Sequence, residues 1–142
     1  MTIEARVRDS FALQGLMQTL SASVTRVTAG EVEIVMPVSR AISQQHGFVH
    51  AAAVTAIMDS ACGYAALSLM PVDSDVLAVE FKVNFVAPAT GSSIRAVGTV
   101  IKAGKTITLT SANAFATSSN GEKLVAVMLA TMIRKPKQTS VS

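Results

Sequence analysis

The segment over residues 50–70 constrains the fold of this chain more than any other part of the sequence. It is a run of small apolar residues, rich in alanine and free of proline, and it predicts a helix over residues 51–70 that Pro71 closes. Because small residues allow close contact on nearly every side, such a helix is expected to be buried. One carboxylate, Asp59, interrupts the run. A carboxylate inside a buried helix is costly unless it is paired, protonated or used in chemistry.

The composition narrows the class of protein. Half of the 142 residues are hydrophobic and 15% are charged, whereas about a quarter of an average soluble domain is charged. The length fits a single domain over residues 1–142. The chain lacks the roughly eighteen consecutive apolar residues that a membrane span needs. We therefore expect no membrane association, and we expect the extra apolar surface to form an interface in a homo-oligomer.

The charge and cysteine content exclude further classes. A net charge of +3 and an aromatic content of 4% give little basis for binding a nucleic acid. One cysteine, Cys62, offers no disulfide framework, and two histidines among scattered acids show no metal-ligand spacing. The first residues lack the apolar core of a signal peptide, so a cytoplasmic location is expected.

The remaining sequence predicts a short helix and six strands. Apolar residues at three-and-four spacing indicate an amphipathic helix over residues 9–20. Short connectors that contain glycine predict a hairpin first and an antiparallel meander of four strands after the long helix. One long apolar helix against an antiparallel sheet is an α+β arrangement. The predicted strands cover residues 23–27, 31–37, 76–88, 92–103, 105–118 and 122–135.

The order and lengths of these elements resemble the hotdog fold. The loop before the long helix resembles the signature of the PaaI-like (phenylacetic acid degradation-related) acyl-CoA thioesterases, Asn-x-x-Gly-x-x-His-Gly-Gly followed by Asp. Residues 85–91 are similar to a second family pattern, aromatic-x-x-Pro-x-x-Gly. In the first pattern, Gln44 occupies the Asn position, Gly47 the Gly position and His50 the His position. Ala51 and Ala52 replace the two glycines that follow, and Asp59 occupies the Asp position.

This resemblance implies a fold, an activity and a set of site residues. The fold would be a long central helix wrapped by a curved antiparallel sheet of about six strands. The activity would be hydrolysis of an acyl-CoA thioester by water without a cofactor. Asp59 would be the general base or the nucleophile, and Ala51 would donate to the thioester oxygen. His50 would support the loop or the substrate carbonyl, and Gln44 would orient the water. The expected substrate contacts are Gly47, Phe48, Ala52 and Phe81.

The spacing of Ala51 and Asp59 makes a further point from geometry. Eight residues of helix separate them by about 12 Å along the axis and about 80° around it. A thioester carbonyl needs its donor and its attacking group both within about 3 Å. One helix therefore cannot supply both groups to one carbonyl. This predicts active sites shared between two chains of a homodimer, with a homotetramer favoured as the final assembly.

Two other functions fit the same pattern. The alanines in place of the family glycines also suit a non-catalytic module that binds acyl-CoA. A hydratase or dehydratase of the same fold is the third alternative, although the pairing of His50 with Asp59 fits the thioesterase pattern better. Asp59 itself has a structural alternative, in which it bridges to a serine or a backbone group at an oligomer contact.

Overall fold

The computed structural model describes residues 1–138. Three helices and six strands follow one another, with a short 3₁₀ turn at Arg40–Ile42 before the long helix. The helices are α1 (Ile3–Ala12), α2 (Gly15–Thr19) and α3 (Ala51–Ser68), and the strands are β1 (Ser23–Thr28), β2 (Glu31–Pro37), β3 (Ser74–Phe85), β4 (Ser93–Ala103), β5 (Ile107–Ser118) and β6 (Gly121–Pro136).

The six strands form one antiparallel sheet in the order β1-β2-β4-β5-β6-β3. The predicted hairpin of β1 and β2 is confirmed, but the predicted four-strand meander is wrong at its first step. β3 pairs with β6 and not with β4. The connector after β3 explains the difference: Val86 N–H donates to the Val125 carbonyl on β6, and the Ala89 carbonyl accepts from Val49 N–H. These bonds hold the connector near β6 and the loop before α3. The connector also contains Pro88, which does not suit a tight hairpin.

The predicted helix over residues 9–20 is also wrong in its extent. The structure has two helices there, and the first begins earlier, where the Thr2 hydroxyl caps it by accepting a hydrogen bond from Ala5 N–H. The break falls at Leu13 and Gln14, just before Gly15, a residue type that disfavours helix continuation. The apolar periodicity continues across the break, and for that reason it suggested a single helix.

Helix α3 lies against the sheet and forms the centre of the core. Its buried residues contact apolar side chains of β2, β4, β5 and β6. Within residues 1–138, α3 is the one helix long and apolar enough to cross a membrane, and 61% of it is buried inside the protein. It is therefore the core helix. The buried sheet residues in the same core cluster include Ile34, Met36, Ile94, Ala96, Ala112, Val125 and Met128.

The end of α3 is held by the N-terminal helix. The Arg6 guanidinium on α1 donates to the carbonyls of Met70 and Pro71 at 2.8 Å and of Ser74 at 2.7 Å. It also donates to the Leu67 carbonyl at 3.2 Å, in the last turn of α3. The last carbonyls of a helix lack partners within it, so a planar cation with several donors can satisfy one of them while it bonds to the loop that follows. Arg6 thus fixes α1, and the residues that follow it, relative to the C-terminal half of α3.

Candidate active site

The polar loop before α3 is closed by Gln44. Its backbone N–H donates to the Phe48 carbonyl at 2.8 Å, and its carbonyl accepts from Gly47 N–H at 3.0 Å. Its side-chain Oε1 accepts from the backbone N–H groups of His46 and Phe48. Gly47 has a φ of +83°, which favours glycine. Since the side-chain oxygen of Gln44 is used within the loop, the amide NH₂ is the part left to bind a ligand.

The first turn of α3 presents one free donor. His50 is the N-cap residue, and its Nδ1 accepts from Ala52 N–H at 2.9 Å. The His50 carbonyl accepts from Ala53 and Val54. The backbone N–H of Ala51 has no hydrogen-bond partner among residues 1–138. A free N–H at the positive end of a helix dipole stabilises negative charge on an oxygen.

This free donor lies at a cavity of about 570 Å³, which we call the helix-start cavity. Gln44, Phe48, His50 and Ala51 line it together. An apolar wall faces them, formed by the end of β3, the connector after it and β6. The wall comprises Phe85, Val86, Ala87, Pro88, Ala89 and Val125.

Asp59 lies at a different cavity of about 450 Å³, which we call the Asp59 cavity. Its Oδ1 atom is buried and has no hydrogen-bond partner among the described residues. Burial raises the pKa of Asp59 above its ordinary value of 3.8, because desolvation disfavours the charged form. A carboxylate in this state is a stronger base once it is ionised.

Four polar side chains that line the Asp59 cavity also bond to one another. Gln14 Nε2 donates to the Tyr64 hydroxyl at 2.7 Å, and the Ser10 hydroxyl lies 3.2 Å from the same oxygen. The Ser60 hydroxyl donates to Gln14 Oε1 at 3.3 Å. We call these four residues the polar cluster. Sequence reasoning missed it. Ser60 and Tyr64 are four residues apart and share a face of α3, but Ser10 lies on α1 and Gln14 in the break between α1 and α2.

The structure separates the sequence-predicted residues into groups. Gln44, Phe48, His50 and Ala51 share the helix-start cavity, whereas Asp59 lines the other one. Gly47 is exposed in the loop beside Phe48. Ala52 is exposed and lines a shallow groove next to α2. Phe81 is 42% exposed on β3 and lines neither cavity.

A central helix wrapped by a six-stranded antiparallel sheet, with a free donor at the helix start, defines a hotdog-fold protein. The sequence model of the Thioesterase superfamily matches residues 46–123, which is more than half of the chain. A thioesterase family protein from Silicibacter pomeroyi is 46% identical over 94% of this chain and 98% of its own, with a TM-score of 0.93. The chain belongs to the Thioesterase superfamily.

More distant structures share the fold. Thioesterase HI1161 from Haemophilus influenzae has a TM-score of 0.83 at 17% identity, covering 100% of this chain and 96% of its own. The E. coli PaaI protein from the phenylacetic acid degradation operon has a TM-score of 0.84 at 16% identity, covering 96% and 95%. No curated protein sequence matches the chain significantly. The predicted resemblance to hotdog-fold thioesterases is confirmed.

Proposed function

We propose that this protein is a cytoplasmic acyl-CoA thioesterase, built as one domain, that hydrolyses its substrate with water and no cofactor. The observation that supports this most directly is Asp59. In a chain of the Thioesterase superfamily, its carboxylate is partly desolvated, and its Oδ1 has no partner among residues 1–138. A structural carboxylate would be expected to have its hydrogen bonds satisfied. An unsatisfied one at a cavity suits a group that acts on a substrate.

The proposed roles follow from charge development during hydrolysis. Ala51 N–H donates to the thioester oxygen and stabilises the negative charge that forms there. His50 holds the first turn in place through its bond to Ala52 N–H. In one route Asp59 removes a proton from the water that attacks the carbonyl, and the thiolate of CoA leaves. In the other, the Asp59 carboxylate attacks the carbonyl and displaces the thiolate, and water then hydrolyses the resulting anhydride to the free acid and Asp59. The amide NH₂ of Gln44 positions the carbonyl or the water.

The proposed reaction needs two chains. Ala51 and Asp59 line different cavities and lie about 12 Å apart along one helix axis. The proposed site therefore combines Ala51 of one protomer with Asp59 of a second copy. The outer edge of β3 fits contact between copies, because it lies at the end of the sheet and exposes Leu77, Val79 and Phe81. A dimer formed in this way, and then a tetramer, would cover that apolar surface.

The test of this function is a thiol-release assay on short, medium and long acyl-CoA substrates. Asp59→Asn should lower kcat by 10²–10⁴-fold, as loss of a general base typically does, while the oligomer stays intact by light scattering. Asp9→Asn, at an exposed position on α1, is the matched control and should keep its rate. If the Asp59 variant keeps more than about half of kcat, Asp59 is not the acting group. Tight acyl-CoA binding by the wild type without thiol release would instead indicate a binding module.

Shared sites can be tested by mixing chains. An Asp59→Asn chain and a chain with Ala51→Pro should each be inactive alone, since each lacks one half of every site. Co-refolding the two should restore activity, because a mixed dimer contains one site with both intact halves. A stable monomer that hydrolyses acyl-CoA would contradict the shared site.

A further inference from the structure

The Asp59 cavity is lined by three parts of the chain, and one of them is the N-terminal segment, residues 1–22. Helix α3 contributes Asp59 itself, and the start of β3 and the end of β6 contribute the sheet. The N-terminal segment contributes Ser10 and Gln14. Its helices α1 and α2 each bury a single residue, whereas most of α3 is buried. The N-terminal segment is therefore the part of this lining that depends most on individual polar contacts.

Gln14 connects the N-terminal segment to the turn of α3 that carries Asp59. Its Oε1 accepts from the Ser60 hydroxyl at 3.3 Å, and its Nε2 donates to the Tyr64 hydroxyl at 2.7 Å. Ser60 follows Asp59 directly in the sequence. A glutamine amide has an acceptor and two donor hydrogens, so one side chain can bond to two hydroxyls that lie one helical turn apart.

The local structure around Gln14 shows that its side chain does not serve its own helix. Gln14 is the N-cap residue of α2, with φ −80° and ψ 108°, yet its side chain makes no capping bond. The residues preferred at this position accept a hydrogen bond from the helix that they precede. The Gln14 amide instead reaches across to α3. The contact with α3 is therefore the physical role of this side chain.

Other polar side chains attach the N-terminal segment away from Asp59. Arg8 donates to the Val24 carbonyl on β1 at 2.6 Å. Arg6 bonds to the carbonyls of Leu67 and of residues after it, and Leu67 lies eight residues, or about 12 Å, beyond Asp59 along the helix axis. Neither arginine lines the Asp59 cavity. Among residues 1–138, the bond from Ser60 is thus this segment's hydrogen bond closest to Asp59 in sequence.

Access of water governs the chemistry of Asp59. Burial is the cause of its raised pKa. Tyr64 on α3, Asp75 on β3 and Lys135 on β6 are the other titratable groups that line the same cavity, and none of them is a cause of that rise. On the core side of α3, burial and then the Asp59 charge raise the pKa of the Cys62 thiol, which stays neutral. A shift caused by burial depends on how well the surroundings exclude water.

We propose, on the basis of the proposed function, that Gln14 is a positioning residue for Asp59. By bonding to Ser60 and Tyr64, it keeps the N-terminal segment against the turn of α3 that carries the carboxylate. The segment then excludes bulk water from part of the Asp59 cavity. The poorly hydrated carboxylate is a stronger base or nucleophile than an exposed aspartate. Gln14 itself touches no reacting atom.

The first test compares the pH profile of kcat in the wild type, Gln14→Ala and Gln18→Ala. Gln18 is the matched control, because it is exposed on the same segment and bonds to the Ala12 carbonyl within it. Asp59 acts when ionised, so thiol release from acyl-CoA should fall as pH drops through its pKa. In Gln14→Ala this acid limb should move to lower pH, toward the ordinary value of 3.8. At neutral pH kcat should be about three- to tenfold lower with KM nearly unchanged.

The Gln18→Ala variant should behave like the wild type. An acid limb that does not move in folded Gln14→Ala overturns the inference. A shift that Gln18→Ala reproduces also overturns it, because general loosening of the segment would then be the cause.

A direct titration keeps this test separate from the proposed hydrolysis. Carboxyl carbons of ¹³C-labelled aspartate are followed by NMR across the pH range, and the Asp59 signal is identified by its absence from Asp59→Asn. Asp59 should titrate at lower pH in Gln14→Ala than in the wild type. This result supports the inference even if the wild type hydrolyses no acyl-CoA, in which case only the proposed function fails. Identical titration of Asp59 in the two proteins overturns the inference, whatever the wild type hydrolyses.

Tyr64→Phe provides a second, milder variant. It removes the hydroxyl that Gln14 bonds to and keeps the ring, whose centroid lies 6.1 Å from that of Phe11. The Asp59 titration should move in the same direction as in Gln14→Ala but by less, because Gln14 keeps its bond to Ser60. Thermal melts show whether each variant is folded. Should Gln14→Ala fail to fold, Tyr64→Phe decides, and an unchanged titration of Asp59 in it overturns the inference.

Discussion

A Cβ atom on Gly98 of β4 would lie 2.3 Å from the carbonyl carbon of Ala61 on α3. Real Cβ atoms do not approach a backbone carbon that closely, so this position needs a residue without a side chain. The contact sets how deeply α3 sits against the sheet. Asp59 lies two residues before Ala61 on the same helix, so the contact with Gly98 fixes the stretch of helix backbone from which its side chain extends.

The first prediction follows from this contact. Gly98→Ala should destabilise the fold by about 1–3 kcal/mol, because the added methyl group forces the helix away from β4. Urea unfolding of the variant and of the wild type measures the difference. Gly15→Ala, on the short helix α2 with open space around it, serves as the control and should cost far less. Wild-type stability in Gly98→Ala would mean that α3 is not seated as the structure shows.

The second prediction concerns the pH dependence of stability at Asp59. Its pKa is raised in the folded state by burial, so between the ordinary value of 3.8 and the raised value the folded protein holds a proton that the unfolded chain has released. The contribution of Asp59 to stability is therefore most favourable below the ordinary pKa and declines as pH rises through the raised one. Above the raised pKa, the loss of stability from Asp59 no longer changes with pH.

Asp59→Asn removes this ionisation. The variant should consequently gain stability relative to the wild type as pH rises from about 4 to about 7. Urea midpoints for both proteins across that range test the sign. A difference between the two proteins that shrinks or reverses with rising pH would mean that the carboxylate is stabilised in its charged form, by a partner that satisfies it.

The third prediction concerns Cys62 on α3. The residue is fully buried, and burial raises the pKa of its thiol to about 12. The thiolate is the reactive form, so alkylation of the native protein should be very slow at neutral pH. Labelling by a thiol reagent, followed by mass spectrometry, should proceed only when denaturant opens the core. Rapid labelling in the native state would contradict the burial of Cys62 in the core.

The sequence allowed good prediction of local features and poorer prediction of strand neighbours. The long helix was recognisable because its small apolar residues run without proline, and the predicted end at residue 70 lies close to the observed end at Ser68. Short connectors that contain glycine marked where the strands begin and end, but the sequence of a strand does not say which strand lies beside it. The pairing of β3 with β6 depends on contacts such as Val86 with Val125, which are distant in sequence.

The candidate site likewise has local features that the sequence predicts and long-range contacts that it does not. The order of Gln44, His50 and Ala51 in one loop and one helix turn allowed their grouping to be predicted, because all three are local. The polar cluster was not predictable in this way. Tyr64 meets Gln14 only after the N-terminal segment has packed on α3, and the two residues are 50 positions apart.

The last prediction concerns the donor at the start of α3. Ala51→Pro removes the backbone N–H, which has no hydrogen-bond partner among residues 1–138. The fold should tolerate proline here, because it is favoured in the first helical turn and because His50 before it is already extended, with a ψ of 136°. We expect kcat to fall by roughly 10²-fold or more, as happens on loss of one oxyanion donor.

Ala51→Gly is the matched variant, since it keeps the donor and removes only the methyl group. It should retain or raise kcat, with a small loss of stability from the more flexible backbone. Steady-state kinetics of both variants measure the effect on kcat, and a thermal melt of each checks that it is folded. A proline variant that folds normally and turns over substrate like the parent would show that the free N–H of Ala51 does not polarise the thioester.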